Sequence, residues 1–400
     1  MSAPRNPPFR AEHLGSLLRP QFLLNKRHAV VAKKASQSEL GPLEDEAVKE
    51  ALALQKDCGF HAPSDGEYRR HMFWGSFFPS LHGFKEINGP DPGIFRQYAP
   101  DIAAFLEENH VPGETVICTG KISHTGESSY MRELTYTKSQ VPESEWGNIK
   151  LTLAAPNWYH FRYKEGLAYP KDVYSTDDEY FADIAKAYRQ ELQILYDAGL
   201  RNAQVDDPNL AYFCSEAMLE GWAKDPLNTK TADEMFDAYV KFYNSCFERP
   251  AGFHLGIHLC RGNFVNSRHF SEGGYDRIAT KLFTELNVGT FYLEYDTPRA
   301  GGFEPLKVLP KDKNAILGVV TSKFPELEDH KKMVEKVYQA ADIVAEGSGQ
   351  TREQALQRMG VSPQCGFASH SDGNLLSWDD MRKKLKLVRA VADEVWPGQP

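Results

Sequence analysis

The feature that most constrains this chain is a regular alternation of short apolar segments with longer amphipathic segments along most of its length. Eight segments have the length and apolar content of buried strands: 9–18, 59–65, 149–156, 202–205, 252–260, 290–295, 314–321 and 360–366. Segments with helical periodicity lie between them, at 43–57, 177–198, 231–247, 327–345, 352–359 and 378–395. Eight strands that alternate with helices predict an α/β fold, namely a (β/α)8 TIM barrel.

A doubly wound open sheet is the alternative arrangement of the same elements. Members of that class that bind dinucleotides carry a glycine-rich sequence in the turn after the first strand, whereas this chain has His13-Leu14-Gly15-Ser16 there. The barrel is therefore favoured, and 400 residues are enough for one large barrel with insertions.

The alternation is interrupted at about 70–145, which we predict to be an insertion after the second strand. Segments 116–124 and 134–139 predict a β-hairpin. Segment 73–98 is predicted to be a loop with seven aromatic side chains, namely Phe73, Trp74, Phe77, Phe78, Phe84, Phe95 and Tyr98. Such a loop forms either a lid over a site or an oligomer contact. With this insertion, residues 1–400 are predicted to form a single catalytic domain.

Charge and cysteine content exclude several classes of protein. The net charge is −9, so no basic surface for nucleic acid or for an anionic membrane is predicted. No apolar run approaches about 18 residues, and the first residues lack the hydrophobic segment of a secretory signal. The six cysteines are scattered without a CxxC pair, at positions 58, 118, 214, 246, 260 and 365. Such a low density is typical of a reducing compartment, and we expect a cytoplasmic protein.

Candidate ligands for a metal ion stand at the ends of three predicted strands. His258 and Cys260 are two residues apart, so they share one face of a strand. Glu294 ends an apolar strand 34 residues later, and Cys365, which precedes a glycine, ends the last strand after a further 71 residues. Because one βα unit of a barrel takes roughly 31 residues, the four side chains are expected to meet at one rim. Zinc prefers donors of this kind.

The same residues also have ordinary structural explanations. A His-x-Cys pair on a strand is commonly part of a core, and a single Glu near a strand end commonly lies at the rim. From the residues alone, a zinc site and simple packing both stay open.

Taken with its other motifs, the chain resembles the C-terminal catalytic half of cobalamin-independent methionine synthase, and more closely its short single-barrel relatives. The zinc pattern of that family is His-x-Cys, a downstream Glu and a Cys followed by Gly, which corresponds here to His258, Cys260, Glu294 and Cys365. Segments 13–20, 65–67 and 204–208 match the family in the same order, and the resemblance extends over roughly residues 9 to 370.

The resemblance also implies roles for residues outside the metal set. Ser16, Glu67 and Asp206 occupy the positions that hold the amino-acid part of homocysteine, and an α-ammonium group does require carboxylates. Trp158 matches a tryptophan that stacks on the pterin ring of the donor, with an aromatic anchor beneath a loop as the alternative. Asp207 stands where the family usually has Glu, and since it is one methylene shorter, no contact is assigned to it.

The activity implied is that of a Zn²⁺-dependent methyltransferase of methionine biosynthesis. In it, a zinc-bound thiolate of homocysteine or a similar thiol attacks a methyl or alkyl donor. The chemistry of the ligands favours the same role, because two thiolates and a carboxylate make the metal a poor activator of water but still able to deprotonate an incoming thiol. Glu294 is expected to leave as the substrate sulfur arrives.

The alkyl donor and the partners stay open. The full-length synthase has a second barrel that helps to bind polyglutamylated folate, and 400 residues do not accommodate it. Only Arg19, Arg69 and Arg70 cluster near predicted strand ends, so weak binding of free methyltetrahydrofolate is expected, with a corrinoid, a partner-held folate or another alkyl compound as donor.

Other functions also remain as alternatives. They are an alkyl– or epoxide–thiol transferase, an enzyme of specialised metabolism, a metal-free barrel resembling uroporphyrinogen decarboxylase, and a non-enzymatic zinc sensor. Whether the chain forms homo-oligomers is not determined by its sequence.

Overall fold

The structure is a computed structural model that describes residues 9–70, 72, 77–107 and 114–400. Within these ranges the strands are β1 (Leu81–Asn88), β2 (Glu114–His124), β3 (Lys150–Ala154), β4 (Asn202–Asp206), β5 (His254–Leu259), β6 (Thr290–Glu294), β7 (Asn314–Val320) and β8 (Met359–Pro363). The α-helices are α1 (Gln21–Val31), α2 (Leu40–Asp57), α3 (Pro100–Glu107), α4 (Met131–Gln140), α5 (Trp158–Phe161), α6 (Asp177–Asp197), α7 (Pro208–Tyr212), α8 (Glu216–Lys224), α9 (Ala232–Cys246), α10 (Ala279–Glu285), α11 (His330–Ser348), α12 (Arg352–Leu356) and α13 (Trp378–Val395).

Strands β3 to β8 form a parallel sheet in which each strand pairs with the next one along the chain. The strands are buried along almost their whole length, as expected for a parallel sheet that helices cover. The predicted α/β fold of the TIM-barrel type is confirmed. All six predicted helices are present, and their bounds differ from the prediction by at most three residues.

Several helices begin where the sequence offers a side chain that can accept a backbone hydrogen bond. Thr176, Thr231, Thr351 and Ser377 each accept from a backbone N–H in the first turn of the helix that follows. Acidic residues stand in the same first turns, where they interact favourably with the helix dipole. Local signals therefore fix the starts of these four helices.

Two of the eight predicted strands, 9–18 and 59–65, do not form regular strands. The first makes one isolated parallel bridge, between Ala11 and Val361 of β8. In the second, the carbonyl of Pro63 accepts a hydrogen bond from the N–H of Lys150 in β3. Side chains take other backbone groups of these segments. The Gln55 amide bonds both the N–H and the carbonyl of Ser64, for example, so neither group is free to pair with a strand.

The insertion contains an antiparallel pair, but its second member was predicted wrongly. Strand β2 pairs with β1 and not with segment 134–139, which belongs to helix α4. The buried residues of α4 are Glu133, Leu134 and Thr137, which lie on one helical face. Segment 73–98 is likewise not a continuous loop, because it contains β1.

The aromatic side chains of this segment pack inward where the structure describes them. Phe73 and Trp74 lie outside the described residues. Phe77, Phe78 and Phe95 are buried, and the ring of Phe78 contacts that of Tyr159 edge to face. These three rings therefore belong to the core. Among the described residues, no helix combines the length and the apolar character needed to cross a bilayer.

Candidate active site

A cleft lies at the carboxyl ends of the sheet strands, where barrel enzymes carry their active sites. About 460 Å³ of space between atoms lies within it, part of which is open to solvent, and its lining contains every candidate site residue of the sequence except Glu294. Its lining residues are Leu14, Ser16, Glu67, Trp158, Asp206, Asp207, Pro208, Tyr212, His258, Cys260, Asn263, Phe270, Cys365, Gly366 and Ser369.

Three of the four predicted metal ligands meet in this cleft. His258 is near the end of β5, Cys260 follows that strand directly, and Cys365 lies two residues beyond β8. The ligand atoms of the three side chains are within 4.8 Å of one another, and all three residues are buried. They form the one group of this kind among the described residues.

The surroundings of His258 suit a metal ligand. Its Nδ1 lies 3.2 Å from the carbonyl oxygen of Tyr292, which fixes the ring and leaves Nε2 to face the cysteine sulfurs. Nε2 is buried, and the described part of the chain gives it no nitrogen or oxygen partner. Histidines that bind metals usually have this arrangement, with one nitrogen on a carbonyl and the other on the ion. A His and two Cys donors therefore fit zinc.

The pKa values of the two cysteine thiols shift in opposite directions. The Cys260 thiol donates to the sulfur of Cys365, and with the nearby His258 and Lys323 this lowers the pKa of Cys365 well below its usual value. The same hydrogen bond, together with burial, raises the pKa of Cys260. Cys365 therefore has the lower pKa of the two, and a cation in the group would stabilise its thiolate form.

Glu294, the fourth predicted ligand, lies beside this group and has other partners. Its Oε1 accepts from Nε of Arg299 at 3.0 Å and from Nη2 of Arg299 at 2.8 Å. Its Oε2 accepts from the backbone N–H of Arg261, the residue after Cys260, at 2.9 Å. The carboxylate is fully buried, and it is next to the metal ligands without being one of the close group.

Gly366 allows the loop of Cys365 to approach the first segment of the chain. A Cβ atom at this position would lie 1.8 Å from Oγ of Ser16, so no larger residue fits. The Ser16 carbonyl also accepts from the N–H of Phe367 at 2.8 Å. Ser16, predicted to contact the substrate, is thereby held next to Cys365 in the cleft.

Two buried carboxylates, Glu67 and Asp206, line the cleft. Oδ1 of Asp206 accepts from Gln204 at 2.6 Å, and Oε1 of Glu67 accepts from Oγ1 of Thr152 at 2.7 Å. Oε2 of Glu67 is buried and has no hydrogen-bond partner within the described residues. Burial, and then the negative charge of Glu67, raise the pKa of Asp206 to about 7. A cationic group between them would satisfy both carboxylates.

The backbone at Glu67 is strained. Its φ is +61°, a value that residues other than glycine rarely adopt. It follows Gly66, whose φ is +68°. The Asp65 carboxylate stabilises this turn by accepting from the N–H of Glu67 at 2.9 Å. Backbone strain of this kind is concentrated at functional sites, and here it directs the Glu67 carboxylate into the cleft.

Trp158 and Asp207 line the cleft, and contacts with neighbouring residues hold both side chains in place. Trp158 is only 4% exposed, and the Arg162 guanidinium lies over its ring at 4.9 Å from the centroid. Asp207 accepts from the N–H of Leu210, which caps α7, and from the hydroxyl of Tyr243 at 2.5 Å. Asp207 therefore has a structural role that accounts for both of its oxygens.

The three arginines of the predicted basic cluster are all engaged inside the protein. Arg19 donates to several backbone carbonyls, among them that of His370 at 2.9 Å. Arg70 pairs with Glu133, and Arg69 pairs with carboxylates of α2. None of the three provides an exposed basic surface.

Sequence reasoning missed several residues that support the site. Gln204 and Thr152 hold the two carboxylates, and both could have been found, because each is on the inward face of a strand that precedes a site residue. The contact of Arg299 with Glu294 had no such signal, since it depends on the turn that follows β6.

Comparison with known proteins gives relatives that match nearly the whole chain. The protein YxjG of Bacillus subtilis (strain 168) is 32% identical over 395 residues, which are 98% of this chain and 96% of the relative. A methionine synthase of Saccharolobus solfataricus is 26% identical over 366 residues, with 88% of this chain and 86% of the relative covered. No model of a protein family matches the chain.

Among solved structures, the chain is similar to a putative vitamin-B12 independent methionine synthase from Listeria monocytogenes. The sequence identity is 25%, the TM-score is 0.69, and 99% of both chains is covered. The similarity therefore extends over the barrel, the insertion and the cleft together.

Proposed function

The chain belongs to the cobalamin-independent methionine synthase family as a short, single-barrel member, and we propose that it transfers a methyl or related alkyl group to the sulfur of an amino-acid thiol such as homocysteine. The observation that carries the proposal is the meeting of two sets of residues in one cleft. His258, Cys260 and Cys365 form a metal-binding group, and the carboxylates of Glu67 and Asp206 are available for a cation.

The metal-binding group suits a thiol better than water. Zinc held by His258, Cys260 and Cys365 would lower the pKa of an added thiol and keep its sulfur ionised at neutral pH. Hydrolytic zinc sites generally rely more on neutral histidines, which leave the metal more electrophilic toward water. The two cysteines of this chain thus favour thiol chemistry over hydrolysis.

The carboxylates and Ser16 would hold the amino-acid part of the acceptor. An α-ammonium group between Glu67 and Asp206 would supply the hydrogen bonds that Oε2 of Glu67 lacks. Ser16 and its neighbouring backbone lie next to Cys365, where they can donate to the carboxylate of the same substrate. These contacts fix the position of the substrate sulfur relative to Cys260 and Cys365.

The transfer itself is a displacement at carbon. The thiol proton is lost to solvent on binding, the sulfur forms a bond to the alkyl carbon of the donor, and the bond from that carbon to its leaving group breaks. The electron pair of the broken bond stays with the leaving group, which takes up a proton. The residues named above orient the nucleophile, and none of them forms a covalent bond to the substrate.

The donor is proposed to be smaller than a polyglutamylated folate. Arg19, Arg69 and Arg70 are paired internally, so they are not available for an anionic glutamate tail. Trp158 is only 4% exposed and Arg162 lies over one face of its ring, which leaves little of the ring accessible to a flat pterin ring. These contacts favour a compact alkyl donor, in keeping with a thiol alkyltransferase of the same family.

The test is to follow the sulfur shell of the metal. The zinc-loaded protein should show two Zn–S distances near 2.3 Å by X-ray absorption, and homocysteine should raise the number of sulfurs from two to three. Homoserine, which has a hydroxyl in place of the thiol, is the matched control and should leave the number at two. A protein that binds no zinc, or whose sulfur number stays at two with homocysteine, would contradict the proposal.

A further inference from the structure

We propose that Arg19 is a positioning residue whose guanidinium group joins the turn that carries Glu67 to the loop that follows Cys365, and so fixes the distance between the two ends of the acceptor site. The inference rests on the proposed function, because it concerns a substrate that is held at its ammonium group and at its thiol. It gives a role to a buried arginine that lies behind the lining residues of the cleft.

The hydrogen bonds of the Arg19 guanidinium are divided between two parts of the chain. Its Nη2 donates to the carbonyl oxygens of Glu67 at 3.2 Å and of Arg70 at 3.1 Å. The acceptors of Nη1 all belong to the other loop, and they are the carbonyl oxygens of Ala368 at 3.2 Å, His370 at 2.9 Å and Ser371 at 3.3 Å. Each terminal nitrogen therefore holds one of the two loops.

This division of contacts requires an arginine. A guanidinium group is planar and presents its N–H donors in a fixed fork, whereas the ammonium group of a lysine is a compact point charge. Arg19 is 6% exposed, and within the described residues its hydrogen-bond and ion-pair partners include no carboxylate. Desolvation of such a charge costs free energy, and carbonyl groups alone compensate it here. The contribution of Arg19 therefore lies in the geometry that it fixes.

The turn at Glu67 is held on both sides of that residue. Its φ of +61° is unfavourable for a residue with a Cβ atom, and such a conformation persists only when the surrounding structure stabilises it. The N–H of Glu67 donates to the carboxylate of Asp65, and its carbonyl accepts from Arg19. Arg19 thus holds one of the two peptide groups that determine where the Glu67 carboxylate points.

The second loop is attached to the same segment of the chain as Arg19. The carbonyl of Ser16 accepts from the N–H of Phe367 at 2.8 Å, while the N–H of Leu17 donates to the carbonyl of Gly66 at 3.1 Å. The backbone of residues 16 and 17 therefore contacts both loops. The side chain of Arg19 adds five hydrogen bonds to that connection.

The consequence concerns ligands that reach both ends of the site. Homocysteine would place its ammonium group at Glu67 and its sulfur at the metal-binding group, so its affinity depends on the separation of the two loops. A ligand that uses only one end does not depend on that separation. Loss of the Arg19 contacts should therefore weaken the binding of homocysteine more than the binding of ligands with a single end.

The experiment compares three ligands on the zinc-loaded protein by calorimetry. Arg19→Lys keeps the positive charge but cannot span both loops, and it should weaken homocysteine binding by about tenfold. The dissociation constants of 4-mercaptobutanoate, which lacks the ammonium group, and of 2-aminobutyrate, which lacks the thiol, should change by less than about threefold.

Arg10→Lys is the matched control for the loss of a buried guanidinium. Arg10 is also 6% exposed, and it donates to three backbone carbonyls at the amino end of β8, away from the cleft. This variant should leave all three affinities within about threefold of the parent values. A loss of homocysteine affinity equal to that of Arg19→Lys would overturn the inference.

A double-mutant cycle tests whether Arg19 acts through Glu67. In a Glu67→Gln background, Arg19→Lys should weaken homocysteine binding by less than about threefold, because the carboxylate that Arg19 positions is then absent. If the two substitutions were instead additive, Arg19 would not act through Glu67 and the inference would be wrong.

Two further outcomes would overturn the inference. One is that Arg19→Lys weakens 4-mercaptobutanoate as strongly as homocysteine, which would indicate general damage to the cleft. The other concerns folding, measured by circular dichroism. If Arg19→Lys does not fold, Arg19→Gln, whose amide can still reach one loop, is compared with the same ligands and the same expected results. If neither variant folds, Arg19 is a structural residue. Failure of the parent protein to bind homocysteine would instead contradict the proposed function.

Discussion

Two histidines, His258 and His160, are buried to a similar degree but differ in their hydrogen-bond partners. His160 has both ring nitrogens within hydrogen-bond distance of a partner, with Nδ1 at 2.7 Å from the hydroxyl of Tyr239 and Nε2 at 3.1 Å from Oδ1 of Asp177. His258 has a partner on Nδ1, the carbonyl of Tyr292, and its Nε2 faces the sulfurs of the cleft. Both residues are at most 5% exposed.

The contrast extends from the histidines to their surroundings. The hydroxyl of Tyr169 and the ammonium group of Lys230 also bind Asp177, so the polar network around His160 is closed. In the cleft, Oε2 of Glu67 lacks a partner, and the backbone at that residue is strained. Closed networks of buried polar groups fix a fold, whereas open ones leave polar atoms that a ligand, an ion or water can satisfy. Burial alone therefore does not distinguish these two histidines. They differ in that the unpartnered Nε2 of His258 lies together with two cysteine sulfurs, whereas both ring nitrogens of His160 have polar partners.

The largest expected effect is the loss of metal from the open region. Cys260→Ser or Cys365→Ser should weaken zinc binding by more than about 100-fold, since even changes to residues behind the ligands cost up to that much. The barrel should remain folded, because a core of this size does not depend on a metal. Zinc content after dialysis is the measurement. Cys246→Ser, in the buried face of α9, is the control and should keep its zinc.

The converse change tests the closed region. His160→Ala should lower the free energy of unfolding by about 3 kcal/mol, because it leaves a cavity among aromatic rings and removes two hydrogen-bond partners. Zinc affinity should stay at the parent value. Urea unfolding of the metal-free protein measures the first quantity and chelator competition the second. A variant that lost zinc without losing stability would invalidate the contrast between the two histidines.

A smaller effect is expected from the carboxylates of the cleft. Glu67→Gln and Asp206→Asn should each weaken homocysteine binding by about 10- to 100-fold, the value of one hydrogen bond to a charged group, and should leave zinc in place. Calorimetry with zinc-loaded protein measures this. A thiol of the same length without the α-amino group should bind all three proteins equally. If it were affected as strongly as homocysteine, the carboxylates would not be acting on the ammonium group.

The structure also shows which features could be predicted from the sequence. The period of two on β5 placed His258 and Cys260 on one face, and helical periodicity gave α13 its observed bounds, 378–395. Both features are local. The pairing of β1 with β2 joins strands that are separated by more than 20 residues, and no local pattern encodes the partner of β2. The wrong assignment of segment 134–139 followed from this.

The hydrogen-bond partners of charged groups could not be predicted from the sequence either. Arg299 lies five residues after Glu294, and their contact depends on the helical turn between β6 and β7. Arg70 reaches Glu133, which is 63 residues away. Sequence reasoning identified which residues carry the chemistry, because residue type and strand position are local. It could not identify which of their atoms are already bonded, because that depends on the tertiary fold.

The smallest expected effect concerns how the free energy of unfolding changes with pH. A carboxyl group in each of the two regions should change it in opposite directions. Burial opposes ionisation of Asp177, but hydrogen bonds from His160, Tyr169 and Lys230 outweigh it and hold the pKa of Asp177 below its usual value. Burial, and then the charge of Glu133, raise the pKa of Asp65, which accepts from the N–H of Glu67, to about 7. Folding therefore stabilises the ionised form of Asp177 and the protonated form of Asp65.

The two signs follow from proton linkage. Since an unfolded Asp has a pKa of about 3.9, the stability due to Asp177 is present above that pH and is lost as the pH falls below it. For Asp65 the folded protein holds a proton that the unfolded chain has released, so stability falls as the pH rises from about 4 to about 7. Urea unfolding of the metal-free protein, from about pH 3 to about pH 8, measures the contributions of Asp177 and Asp65 to the free energy of unfolding. Asp65→Asn should reduce the slope above pH 4 by up to about 1 kcal/mol per pH unit, and Asp177→Asn should reduce only the loss at lower pH. If Asp65→Asn left the upper slope unchanged, Asp65 would not hold an extra proton in the folded protein, and the incomplete bonding of this region would be confined to Glu67 and the metal ligands.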